Sequence, residues 1–142
     1  MKNQVKPIPY QFVLDELSEM NLSVRQMFGC HALYDSEKIL LILRKKDDLV
    51  YDNGIWIATV FKHHVSLRQE LPALRSIRIF GKGETGWQNL PERDSEFESL
   101  AFKLCELVKT KDERIGKIPK KKKRSVKSKS NRKVKSRLRL KR

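Results

Sequence analysis

The sequence predicts an α+β domain, an antiparallel sheet covered by helices in the order α-β(3)-α-β(2)-α, followed by a basic C-terminal tail. Three observations carry that reading. Apolar residues recur at helical spacing near the start of the chain, after Thr59 and after Ser95. Short β-rich runs bounded by turn residues fill the intervals. Charge is segregated along the chain: of 32 Lys and Arg, 15 fall in 117–142 without an acid among them, and the other 17 share 1–116 with all 17 Asp and Glu. The net charge of +15 therefore belongs to the last segment, and 1–116 is formally neutral.

Tyr10, Val13, Leu14 and Leu17 stand at i, i+3, i+4 and i+7 behind Pro9, with Asn21 as a stop, which predicts a first helix over 10–20. Residues 24–34 read as strand with a bend at Gly29, and Asp35-Ser36-Glu37 supply a turn. The run 39–43 has five apolar residues in succession and suits a central strand. Asn53-Gly54 between β-formers predicts a two-residue type I′ hairpin, because both residues tolerate positive φ. Thr59 is placed as the cap of a second helix whose stripe is Val60, His64, Leu67 and Leu71, before Pro72. Strands are expected at 76–80 and 87–90, on either side of the glycine-rich 81–86. Ser95 and Glu98 match a capping box, opening a last helix with Phe97, Leu100, Ala101, Leu104, Leu107 and Val108 facing inward.

Composition changes abruptly after Gly116. The segment 117–142 has no aromatic residue, and Val126, Val134, Leu138 and Leu140 are too sparse for a core, so it is expected to be disordered when free. Its candidate nucleic-acid-binding residues are Lys117, Lys120, Lys121, Lys122, Lys123, Arg124, Lys127, Lys129, Arg132, Lys133, Lys135, Arg137, Arg139, Lys141 and Arg142. Such side chains release counterions from a phosphate backbone, which needs charge density and no fixed shape. Without aromatics to stack on bases or groups to read base edges, sequence-independent binding to DNA or RNA is the expectation. A protein partner or a second copy of the chain is the further partner class, and no membrane partner is expected, since neither an amphipathic helix nor a lipidated cysteine accompanies the charges.

Other functions find little footing. No apolar run approaches the ~18 residues of a membrane span, and 1–10 lacks the apolar core of a secretory leader. Two cysteines, Cys30 and Cys105, read as reduced thiols, which makes the cytoplasm the expected compartment. Gly81-Lys82-Gly83-Glu84-Thr85-Gly86 matches G-x-G-x-x-G, but Trp87 and Pro91 follow where a dinucleotide site needs a helix. Cys30, His31, His63 and His64 are the zinc-ligand types present; neighbours on a strand face opposite ways, and adjacent helical histidines diverge by about 100°. His64 lies on an apolar stripe and reads as a hydrogen-bonded core residue, and Cys105 as a small core residue. Glu92, Asp94, Glu96 and Glu98 suit the positive end of a helix. The chain is read as non-enzymatic, without cofactor, metal or catalytic residues.

Val24-Arg25-Gln26-Met27-Phe28-Gly29, followed by Ala32-Leu33-Tyr34, resembles the R-x-M-F-G-G-x-G-L-Y opening of the TfoX/Sxy N-terminal domain family. Trp87-Gln88-Asn89-Leu90-Pro91 resembles that family's W-x-x-L-P element. The resemblance covers residues 10–110 and departs from the pattern at Cys30 and His31. It implies the fold shared with YjbR-like proteins and type III secretion chaperones. It also implies a regulatory or nucleic-acid-linked role, with no catalytic residues to carry over. The chaperone-like fold leaves a protein-interaction adaptor as an alternative. A third reading, a metal protein or enzyme, would use Cys30, His31, His63 and His64.

Overall fold

The computed structural model describes residues 8–81 and 83–119. In chain order the elements are α1 (Gln11–Glu16), β1 (Ser23–Met27), β2 (Cys30–Asp35), β3 (Lys38–Arg44), β4 (Gly54–Ile57), α2 (His64–Glu70), β5 (Arg75–Ser76), β6 (Gln88–Pro91) and α3 (Phe97–Lys109). The strands form one antiparallel sheet in the order β1-β2-β3-β4-β6-β5. The architecture is the expected α+β class, with four strands before α2 where three were expected.

The extra strand comes from the turn at Phe28-Gly29. Both residues have positive φ, +54° and +75°, and Met27 pairs with Cys30 across them. That is the two-residue turn whose twist matches paired strands. Ser36 at φ +58° makes a second short turn, so the Asp35-Ser36-Glu37 turn is found as expected.

Asn53-Gly54 does not form the hairpin expected of it. Asn53 is extended (φ −70°, ψ 136°), and the loop 45–53 joins β3 to β4. Its buried side chain acts as a substitute peptide group: Oδ1 accepts from Arg44 Nη1 (2.7 Å) and Lys46 N (3.0 Å), and Nδ2 donates to Lys46 O (2.9 Å). Gly54 is needed for a different reason. A Cβ there would overlap the Leu90 carbonyl oxygen and approach Asn89 Oδ1 to 2.7 Å, at φ +147°.

The apolar run on β3 serves both faces of the sheet. Leu33 pairs with Leu41 and Tyr34 with Ile39, so Leu40 is an extra residue in a bulge. Leu40, Leu41 and Leu43 join the core beneath the helices with Leu33, Ile55, Ile57 and Leu90, whereas Ile39 and Ile42 turn to the opposite face. All three α-helices cover the first face: Val13 and Leu17 come from α1 and its end, Leu67 and Leu71 from α2 and its end, and Ala101, Leu104, Cys105 and Val108 from α3. Burying each leucine contributes roughly 1.5–3 kcal/mol.

The helix ends differ from the capping expected. Thr59 is buried, its Oγ1 has no hydrogen-bond partner among the described residues, and a 3-10 turn at Phe61–His63 leads into α2. Ser95 and Glu98 form no capping box; Asp94 Oδ2 instead accepts from Glu96 N (2.9 Å). After α3 the chain returns to the sheet. Gly116 N donates to Ala58 O (2.6 Å), and Lys117 exchanges two backbone hydrogen bonds with Ile39, both 2.9 Å.

Candidate functional site

Among the described residues no helix covers the second face of the sheet. Cys30, Ala32 and Tyr34 of β2, Ile39 and Ile42 of β3, and Trp56 and Ala58 at β4 form its apolar layer, with Ile77, Met27 and Trp87 packed on it. Trp56 and Trp87 meet with ring centroids 5.9 Å apart, and Trp56 Nε1 donates to Asp52 O (2.8 Å). The Asp52 carboxylate in turn accepts from Arg78 N at 2.9 Å, which ties the segment after β5 to this face. Trp56 is thus a second packing layer, as its alternation with Ile55 and Ile57 suggests.

Between the Phe28-Gly29 turn and Ile79-Phe80 lies a groove of about 350 Å³. Ile42, Trp56 and Trp87 line it together with Met27, Phe28, Cys30, Ile79 and Phe80, and among the described residues Arg44 and Lys46 are its charged lining residues. Phe28 is 80% exposed and Phe80 71%. Cys30 Sγ lies 3.6 Å from Phe28 O, and burial pushes its thiol up, against the opposing pull of Arg44 and Lys46. It is therefore a neutral wall of the groove and a poor nucleophile.

Cations on this side are not matched by acids. Arg44 is 1% exposed, yet its guanidinium donates only to Leu49 O (2.9 Å), Asp48 O (3.1 Å) and Asn53 Oδ1. Lys46 Nζ donates to Phe28 O (3.4 Å). Arg25 lies 3.9 Å over the Tyr34 ring, and Arg75 and Arg78 lie 3.9 and 3.8 Å from the Tyr51 ring centroid. All the acids fall within the described residues, and none is in an ion pair with any of these five.

Several acids are engaged elsewhere. On α2, Arg68 and His64 both reach Glu84, at 2.9 and 2.7 Å; burial raises that carboxyl, but hydrogen bonds from His64 and Ser76 and the Arg68 charge hold it below its usual range. Arg114 binds Glu70 and Asp112, each at 2.6 Å, and its hydrogen bond lowers Asp112 to about 2. Glu92 accepts from Lys45 and from Tyr10, both 2.8 Å; these bonds outweigh its burial and lower it, while burial and Glu92 push the Tyr10 hydroxyl up. Such clusters fasten helices and termini to the sheet.

Of the predicted nucleic-acid-binding residues, Lys117 alone is described: its side chain is exposed and its backbone belongs to the sheet. Lys120 to Arg142 lie outside the described residues. The G-x-G-x-x-G stretch falls in the β5–β6 connection and opens no helix; Gly86 fits because a Cβ would come to 3.0 Å from Thr59 O. Cys30 and His31 face opposite sides of β2, and His64 Nδ1 is taken by Glu84, so the Cys/His residues do not converge. Among the described residues no group of three His, Cys, Asp or Glu could hold a metal. Cys105 is buried, and burial raises its thiol to about 12.

No family model, no curated protein and no solved structure matches this chain. Among the described residues, no helix is long and apolar enough to cross a membrane. What sequence reasoning missed is the open-face cluster. Its one visible signal was the alternation that places Arg25 and Met27, Cys30 and Ala32, Ile42 and Arg44 on a common side.

Proposed function

We propose that this chain is a non-enzymatic, nucleic-acid-associated protein of the cytoplasm, with a TfoX N-terminal-like α+β domain and a C-terminal block of bases that binds phosphate backbones irrespective of sequence. The observation that carries the proposal is the segregation of charge. Fifteen bases stand without an acid in 117–142. Several of the acids before them are held in ion pairs that fasten the fold, among them Glu70, Glu84, Glu92 and Asp112. The block is anchored as well: Gly116 and Lys117 are hydrogen-bonded into the sheet where it begins, so charge delivered to a polyanion positions the domain on it.

Counterion release sets the test. Binding of the full-length protein to duplex DNA and to RNA, followed by anisotropy against salt, should weaken with a log–log slope of about −0.9 for each phosphate neutralised. A full-length variant with the bases of 120–142 changed to glutamine should lose that binding and most of the slope. Duplex affinity that survives the exchange, or that ignores salt, would refute the proposal.

A further inference from the structure

We propose that the open-face groove is a single-stranded nucleic-acid site, in which an unpaired base stacks among Phe28, Phe80, Trp56 and Trp87 while the cations of that face meet the flanking phosphates. This deepens the nucleic-acid reading above and rests on it. The tail would supply affinity without selectivity, and the groove would select single strands over duplex.

Phe28 is the first argument. A bulky residue at φ +54° is disfavoured, and such turn positions ordinarily take Asn, Asp or Gly. Here the ring gains nothing from the fold in return, since it is 80% exposed. Strain kept at an exposed aromatic points to something the ring does with a ligand.

Charge is the second. Among the described residues the groove is lined by no acid, and Lys46 is its accessible cation, Arg44 being 1% exposed with its donors taken by Leu49, Asp48 and Asn53. Arg25, Arg75 and Arg78 stand on the same side of the sheet, stacked on tyrosines and in no ion pair among the described residues. An apolar peptide or a lipid tail would use the aromatics and leave these cations idle. A nucleic-acid strand uses both, because each base has a stackable face and each link a negative charge.

Size and shape agree. A cavity of about 150 Å³ accepts benzene, so one of about 350 Å³ has room for a two-ring base. In a duplex the bases are stacked on one another, and only an unpaired one can be splayed into such a groove.

The chain's two tryptophans, Trp56 and Trp87, both line the groove and give a direct readout. Full-length protein is titrated with a thymidine oligonucleotide of about 15 nucleotides and with the matching duplex. The single strand should quench tryptophan fluorescence and bind tighter than the duplex, which should bind without quenching. A Phe28→Ala/Phe80→Ala variant should lose the quench and weaken single-strand binding by roughly 5- to 150-fold for each stacked base lost. Its duplex affinity and its melting temperature should stay as in the parent, since both rings are exposed. An Arg25→Gln/Arg78→Gln variant should keep the quench and show a shallower salt slope for the single strand. If the phenylalanine variant holds parental single-strand affinity, or duplex quenches as strongly, the groove assignment is overturned while the tail reading stands. Quenching by an apolar peptide or by rising protein concentration, with none by the oligonucleotide, also overturns it. Failure of the parent to bind either nucleic acid removes the reading on which it rests.

Discussion

Leu41 and Ile42 are neighbours on β3, but the first lies in the core beneath the helices and the second in the floor of an open groove. The same division runs across the whole sheet. On the helix side, α1, α2 and α3 close the apolar layer, and ion pairs such as Arg114 with Glu70 and Asp112 fasten the periphery. On the other side, aromatic rings replace helices, and guanidinium groups stack on Tyr34 and Tyr51 without an acid partner. The difference teaches that a formally neutral domain can still present one aromatic face with several unpaired guanidinium groups, while ion pairs such as Arg114 with Glu70 gather on the helix side.

The most damaging way to break the comparison is to remove the hinge common to both faces. Gly54→Ala puts a Cβ onto the Leu90 backbone at φ +147°, where neither β4 nor β6 can yield. It should cost more than about 3 kcal/mol, seen as a collapse of the urea midpoint or loss of folded protein. Truncations then separate the faces. Leu41→Ala opens an enclosed hole and should cost about 3–5 kcal/mol. Ile42→Ala only enlarges a groove that solvent already reaches, so it should cost about 2 kcal/mol, close to the transfer of its methylene groups. Equal losses for the two would mean that the open face is sealed in solution.

How much of this was legible in the sequence depended on whether a local rule acted alone. Periodicity found all three helices and the doubly buried β3, because apolar spacing records burial directly. Turn chemistry misled. Asn53-Gly54 has the hairpin signature, yet Asn53 is engaged by Arg44 and Lys46 and Gly54 by the approach of Leu90, both tertiary demands. Phe28-Gly29 lacks the signature and makes the turn. The groove joins β1 to the segment after β5, strands at opposite edges of the sheet, and no short-range pattern foretells that meeting.

Acid should sharpen the contrast, because the titrating pairs lie on the helix side. The Asp112 carboxyl, held at about 2 by its hydrogen bond from Arg114, has an ordinary value of 3.8. A depressed carboxyl stabilises the fold above its unfolded value and loses that stabilisation as pH falls toward the folded one. Between about pH 4 and pH 2, roughly 2 kcal/mol should disappear, and Glu84 and Glu92, also lowered, act in the same direction. Urea midpoints at pH 5 and pH 2.5 should therefore differ less in Asp112→Asn than in the parent. An equal drop in both would place the acid sensitivity elsewhere.

The smallest expected effect is also the most telling, because its sign is opposite to the others. Phe28→Asn converts the turn to Asn-Gly, the pair best suited to positive φ at both positions. Relief of the left-handed strain is worth about 1–2 kcal/mol, and the exposed ring gives up little burial, so a net gain of about 0.5–1 kcal/mol should appear as a higher melting temperature. The same variant should bind single strands more weakly. Stability gained where binding is lost is what a residue kept for a ligand predicts, whereas a phenylalanine kept for the fold would cost stability on removal and leave single-strand affinity unchanged.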